Sequence, residues 1–203
     1  MKATLLLYPL LFVLLLSHCK EKTAVASLQE EISPEIDLQE VLKKELVLNP
    51  IEGKWYYNNQ PFNGHSVKFH PNGALGERLG YVDGKREGVA KRYSDNGVLR
   101  VMSHYRHNRL EGEFKTWWEN GVLAEESYYK DGVLHGEQRQ WYASGELAKV
   151  RHLVNGKEEG MQRAWLKNGK LYVNYEAKNG RIFGMRRANS CYQLENEVVV
   201  KDK

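Results

Sequence analysis

Residues 112–136 read GEFKTWWENGVLAEESYYKDGVLHG, with aromatic pairs at Trp117-Trp118 and Tyr128-Tyr129, turn dipeptides at Asn120-Gly121 and Asp131-Gly132, and a glycine at either end. The end glycines belong to a longer series, because Gly64, Gly88, Gly112, Gly136, Gly160 and Gly184 are all 24 residues apart. A fixed period of this length marks a repeat architecture, and the stretch is the third of five units. Five residues after each opening glycine stands an aromatic: Phe69, Tyr93, Trp117, Trp141 and Trp165. Eleven after it stands a leucine: Leu75, Leu99, Leu123, Leu147 and Leu171. The position seventeen on, Tyr81, Tyr105, Tyr129, Leu153 and Ala177, weakens toward the C-terminus.

These positions translate into backbone geometry. The first turn of each unit, from Pro71-Asn72-Gly73 to Lys167-Asn168-Gly169, reads as a three-residue hairpin loop closed by a left-handed glycine. Three loop residues place the aromatic at position five opposite the leucine at eleven, on one face; two would separate them. The second turn, Asp83-Gly84, Asp131-Gly132, Asn155-Gly156 and Asn179-Gly180, carries a strong two-residue hairpin signal, with Asn108 replacing glycine in the second unit. Counting through that turn puts the tyrosine at seventeen and the next aromatic on opposite faces. A β-bulge of one residue at the repeating glycine would reunite them.

The expected fold is all-β: an elongated, twisted antiparallel meander of about five and a half 24-residue hairpins, some eleven strands, cored by aromatics and leucines. Closure into a barrel is the alternative that the sequence leaves open. A half unit begins the array near Trp55, with Gln60 where a turn glycine belongs, and after Gly184 the pattern stops at Asn189.

The pattern Tyr-x-x-Gly-x-x-x-Gly, an aromatic, then Asn-Gly-x-Leu, as in YYKDGVLHGEQRQWYASGELAKV, resembles MORN-type repeats. The similarity is to the bacterial variant found in YwqK-family antitoxins of toxin–antitoxin systems, and it spans about residues 55–187. The resemblance implies a β-hairpin array that binds proteins or lipids, without a cofactor. An antitoxin of that kind would neutralise a partner toxin by direct binding.

Outward from the array, MKATLLLYPLLFVLLLSHC places Lys2 before an apolar run from Leu5 to Leu16, too short for a membrane span and suited to a signal-peptide core. A transmembrane anchor and an ordinary secretory signal are the alternatives. LSHC resembles the lipobox of bacterial lipoproteins, with His18 in place of a small residue; on that resemblance Cys19 is lipidated and anchors the mature chain in a membrane. Lys20 follows the cysteine where an inner-membrane retention aspartate would stand, so an outer-membrane or cell-surface address in the bacterial envelope is expected. Lys20 to Ile32 reads as a spacer, and SPEIDLQEVLKKELVLNP as a short helix capped by Ser33. Its stripe of Leu38, Val41, Leu42 and Leu46 is expected to pack over the first strand of the array. The organisation is therefore residues 1–18 signal peptide, 19–50 tether and capping helix, 51–187 repeat array, and 188–203 C-terminal cap or tail. Cys191, the second of only two cysteines, reads as a small half-buried residue.

Composition narrows the function. A content of 41% apolar, 28% charged and 11% aromatic residues excludes a disordered chain. The net charge of +4 is spread over 30 basic and 26 acidic residues with no basic block, so no nucleic-acid partner is expected. Gly-x-Ser-x-Gly, Cys-x-x-Cys, His-Glu-x-x-His and Gly-Lys-Ser/Thr are all missing from the sequence; the spacings of His65/His70 and His104/His107 suggest metal, but His104 and His107 fall in ordinary repeat positions and read as scattered turn histidines. No enzyme, metal or cofactor is expected.

What breaks the repeat is the extra aromatics. Trp118, Tyr128 and Tyr142 form a candidate exposed patch for an unidentified protein partner, flanked by Lys115, Arg139 and Arg163 at one strand position. The plainer alternative is that one residue of each pair fills the core while the other pads the outer face. Direct lipid contact by the aromatic and basic faces also stays open.

Overall fold

A computed structural model describes residues 36, 37 and 39–185. The leader, Cys19, the spacer, Leu38, Cys191 and the segment 188–203 lie outside the described residues.

Eleven strands follow one another as an antiparallel meander: Gly64–Phe69, Leu75–Val82, Gly88–Tyr93, Leu99–Arg106, Arg109–Trp117, Leu123–Lys130, Gly136–Trp141, Leu147–Val154, Gly160–Trp165, Leu171–Lys178 and Arg181–Met185. The strand order is a linear path, and among the described residues no pairing closes it into a barrel. In all five units the aromatic at position five stands opposite the leucine at eleven, from Phe69 opposite Leu75 to Trp165 opposite Leu171, as a three-residue loop requires. At the first turn the Gly73 N–H donates to the His70 carbonyl at 2.9 Å, and Gly73 has φ +85°, which a side chain would resist.

The second turns are of the two-residue kind in which both central residues have positive φ, as at Asp83 (+49°) and Gly84 (+74°). In the second unit His107 and Asn108 adopt that conformation without a glycine. Their strain is offset locally: the buried Glu87 carboxylate accepts the His107 N–H at 2.9 Å, and the Asn108 amide donates to the Gly53 carbonyl at 2.7 Å. Asparagine replaces glycine here because its side chain hooks the turn to the segment before the array.

Three expectations need correcting. The repeating glycine does interrupt the ladder, but by two residues, because Glu87–Ala90 stand against only Leu79 and Gly80 between the pairs Tyr81–Arg86 and Arg78–Lys91. An even insertion leaves the alternation unchanged, so tyrosine seventeen and the next aromatic are not brought onto one face. The half unit turns at Asn58-Asn59, one residue earlier than the period predicts, with Tyr57 opposite Gln60. It belongs to a separate three-stranded sheet, Val47–Asn49, Lys54–Tyr57 and Gln60–Pro61.

Finally, the capping helix is not formed. Glu40–Leu42 is a strand that pairs in parallel with His65–Val67, followed by a single 3₁₀ turn at Lys43–Glu45. The first hairpin strand would otherwise present an unpaired edge, and a helix this short has little stability of its own to set against those hydrogen bonds. The segment extends the sheet beside the first strand instead of packing over it, but two residues of the predicted stripe, Val41 and Leu46, are buried.

The closest packing is at this end. Val41, Leu46, Phe62, Leu79, Tyr81 and Ala90 form one buried cluster, with Trp55, Tyr57 and Tyr105 against it. Rings meet edge-on or tilted, Trp55–Tyr81 at 6.3 Å and Phe62–Tyr81 at 5.6 Å. Lys43 closes it from above: its ammonium lies 4.7 Å from the Trp55 ring centroid and donates to the Tyr81 hydroxyl at 2.9 Å.

Candidate functional site

Neighbouring units are stitched together by the side chain just after each core aromatic. Trp118 Nε1 donates to the carbonyl of Trp141 at 2.9 Å, and the Tyr142 hydroxyl donates to that of Trp165 at 2.8 Å. In the first unit His70 Nε2 occupies the same role against the Tyr93 carbonyl at 2.9 Å. Ser94 is too short for it, and Arg100 Nε serves the Trp117 carbonyl instead, at 2.8 Å. The turn asparagines add a second row of links: Asn72 and Asn120 donate to the carbonyls of Asp95 and Ala143, each at 2.7 Å.

Trp118 and Tyr142 are therefore tethers whose polar ends are used inside the array. Trp118 is still 40% exposed, whereas Tyr142, predicted as part of an exposed patch, is half-buried. Together with Trp117 and Trp141 they line a groove of about 590 Å³ between the third and fourth units, with Arg100, Thr116, Glu125 and Gln140 as its polar members and Val101, Ala124 and Ala148 on its walls. Glu125 accepts from Gln138 at 2.7 Å, Gln140 at 3.0 Å and Ser127 at 3.2 Å. Arg100 is likewise committed, to the Trp117 carbonyl and to the Glu119 carboxylate. What the groove offers is ring faces fixed by internal hydrogen bonds.

The other predicted residues lie elsewhere. Lys115, Arg139 and Arg163 do share one strand position and line up across the sheet, Lys115 opposite Glu126, Glu126 opposite Arg139, Arg139 opposite Val150, and Val150 opposite Arg163. Tyr128 stands opposite Glu113 on the same face, 46% exposed, near the far end of its strand from Trp118 and about 20 Å away at 3.3 Å per residue. Two of the three cations are neutralised by neighbours. Lys115 Nζ lies 3.1 Å from Glu113 and 3.2 Å from Glu126, and hydrogen bonds to those carboxylates raise its pKa above the ordinary lysine value. Arg139 pairs with Glu137 and with Glu126, and Glu137 in turn lies 3.1 Å from His152 Nε2. The six residues thus divide into an aromatic groove at the first-turn end and a charge-balanced strand face carrying Tyr128.

Sequence reasoning singled out Trp118 and Tyr142 but missed their ladder, although an aromatic or histidine at the same repeat position in three units was the available signal. The side chain just before each opening glycine was also missed. Asn63, Glu87, Glu111 and Glu159 each accept the backbone N–H of the first residue in the next unit's second turn, at 2.7 to 3.3 Å. Only the third unit departs, with His135 there and its Nδ1 buried without a partner.

Residues 86–107, 110–131 and 134–155 each match the family model for the MORN repeat variant. Every match runs from just after one two-residue turn to the next, so one MORN repeat is one hairpin around a three-residue turn. The groove lies within the second and third of these matched hairpins, apart from residues contributed by the first. The structure extends the same hairpin geometry one unit to either side, at Phe69–Leu75 and Trp165–Leu171. No curated protein matches the chain. MORN repeats point to a repeat-based binding module. Among the described residues no cluster of three or more His, Cys, Asp or Glu could hold a metal ion, and no helix is long and apolar enough to cross a membrane.

Proposed function

We propose that this chain is a non-catalytic, lipid-anchored module of the bacterial cell envelope that binds another protein through the aromatic groove of its MORN-type array. The observation that carries the reading is the groove itself: Trp117, Trp118, Trp141 and Tyr142 present large rigid ring surfaces at low conformational cost, the usual anchors of protein interfaces. The leader and Cys19 supply the envelope address, with acylation at Cys19 as the tether. The balanced charges around Lys115 and Arg139 favour a protein over an anionic lipid surface on that face.

The test is a crosslinking pull-down from membranes with the full chain and with a Trp118→Ala/Tyr142→Ala variant, circular dichroism confirming that both are folded. A discrete partner captured by the first and lost from the second supports the groove. Equal capture by both sinks it. A second reading, suggested by the YwqK-like pattern, is an antitoxin-type inhibitor whose partner is a toxic protein of the envelope; rescue of growth on co-expression with that partner would favour it.

A further inference from the structure

The aromatic groove repeats at a defined pitch. Equivalent residues of successive units are two strands apart, about 9.6 Å at the usual spacing of about 4.8 Å per strand. Phe69, Tyr93, Trp117, Trp141 and Trp165 occupy that row; a second ring follows it in the first, third and fourth units, as His70, Trp118 and Tyr142, and only the third and fourth are neighbours. A polyproline II helix has three residues per turn at about 3.1 Å each, so residues at every third position recur after about 9.3 Å.

The polar ends of these rings narrow the choice of ligand. Trp118 Nε1 and the Tyr142 hydroxyl are spent on the carbonyls of Trp141 and Trp165, and Glu125 already accepts from three donors. A ligand that drew on those three side chains would have to break these bonds. A proline ring needs none, since it has no N–H to satisfy and presents an apolar face for stacking. Charge at the rim adds a direction: Glu146 is exposed in the turn beside Tyr142. The Tyr142 ring already draws one cation, with Lys167 Nζ 5.7 Å from its centroid.

We propose that the groove of the third and fourth units binds a proline-rich segment of a partner protein in the polyproline II conformation, with prolines three residues apart seated on successive aromatic pairs and a basic residue beside Glu146. This rests on the reading of the chain as a protein-binding module and names the class of segment that the module takes.

The test titrates twelve-residue peptides into the protein, followed by tryptophan fluorescence and calorimetry. One carries proline at every third position and a terminal lysine, one carries proline at every fourth, and one is built of glycine and serine. The first is expected to saturate with a Kd on the order of tens of micromolar, about fivefold tighter than the second, with no binding of the third. Trp118→Ala should weaken it at least tenfold. Should that variant fail to fold, Ala148→Arg fills the groove from its wall without touching a tether and should do the same.

Absence of saturable binding, equal binding of the glycine–serine peptide, indifference to Ala148→Arg, or occupation of the groove by oligosaccharide or lipid vesicles instead would each overturn the proposal. If a membrane protein crosslinks in a Trp118-dependent way while the proline peptide fails, this inference falls and the protein-binding reading stands. If both fail, both fall.

Discussion

Unit one and unit three carry the same repeat and are stabilised differently. In unit one Leu79 and Tyr81 are 1% and 0% exposed, covered by Phe62, Val41 and Leu46 from outside the repeat. Their counterparts in unit three are Ser127 and Tyr129; the tyrosine is only half-buried, against Phe114 at 5.5 Å between ring centroids. There the ladders of hydrogen bonds that also link units one and two act without a cap, and Trp118 and Tyr142 line the groove. The periodic positions set register, whereas burial is supplied by whatever lies over them.

The sharpest way to break the comparison is to truncate the equivalent tyrosines. Tyr81→Ala should cost about 3–5 kcal/mol, as for a large aromatic in a closed core. Tyr129→Ala should cost about 1–2 kcal/mol, because part of its surface already faces water. Urea titrations followed by circular dichroism would measure both. Equal losses would mean that the cap does not decide where the core is.

A second contrast concerns the turns. Gly84 and Gly180 have the same backbone conformation, φ +74° and +73°, but a Cβ at Gly84 would meet the Trp55 carbonyl oxygen at 2.7 Å, while at Gly180 nothing lies within 4 Å. Alanine at either carries the left-handed cost of about 1–2 kcal/mol. Only at Gly84 must the three-stranded sheet also move, since Trp55 N–H and the Phe62 carbonyl both bond to Gly84. Gly84→Ala should therefore lower stability by at least about 1 kcal/mol more than Gly180→Ala.

How far the sequence reached follows the same division. The hairpins were legible because turn glycines and alternating side chains act locally: the three-residue loop, the two-residue turn and the pairing of position five with eleven all follow from spacing. The fold of residues 40–49 was not, because a helical stripe and an edge strand can bury the same Val41 and Leu46. What decided between them was the unpaired edge at Gly64–Phe69, a tertiary fact. Of the candidate site, Trp118 and Tyr142 were visible as exceptions to the repeat. Their separation from Tyr128, and the neutralising of Lys115 and Arg139, depend on cross-strand neighbours that one sequence does not display.

Acid should reveal the capped end first. Burial alone would raise the Glu77 carboxyl, but the hydrogen bond from Arg92 at 2.8 Å, the charges of Lys43 and Arg92, and a bond from Lys43 at 3.4 Å outweigh it and hold its pKa below the ordinary glutamate value. A carboxylate lowered on folding stabilises the fold fully above its unfolded pKa, and that share is lost as pH falls through the lower folded value. Melting temperature should accordingly drop as pH falls below about 4.5. Glu77→Gln should cost about 1–2 kcal/mol at neutral pH and flatten that acid limb. An unchanged limb in the variant would assign the acid sensitivity to other carboxylates.

The smallest effect tests the ladder in the uncapped units. At four of five junctions a side-chain oxygen before the opening glycine accepts a turn N–H from the following unit, as Glu111 does from Asp131 at 2.7 Å. At the fifth, His135 leaves its Nδ1 buried with no partner. His135→Glu supplies the acceptor found at the neighbouring junctions and removes the orphaned nitrogen, so it should stabilise the protein by about 0.5–1.5 kcal/mol. Hydrogen exchange at Asn155 is the direct readout, because only that amide gains a bond. Slower exchange there together with a higher melting temperature would establish that hydrogen bonds between units, rather than buried apolar surface, set the stability of the stretch that carries the groove. A variant that melts lower would show the histidine's ring to be packing in a way the carboxylate cannot replace.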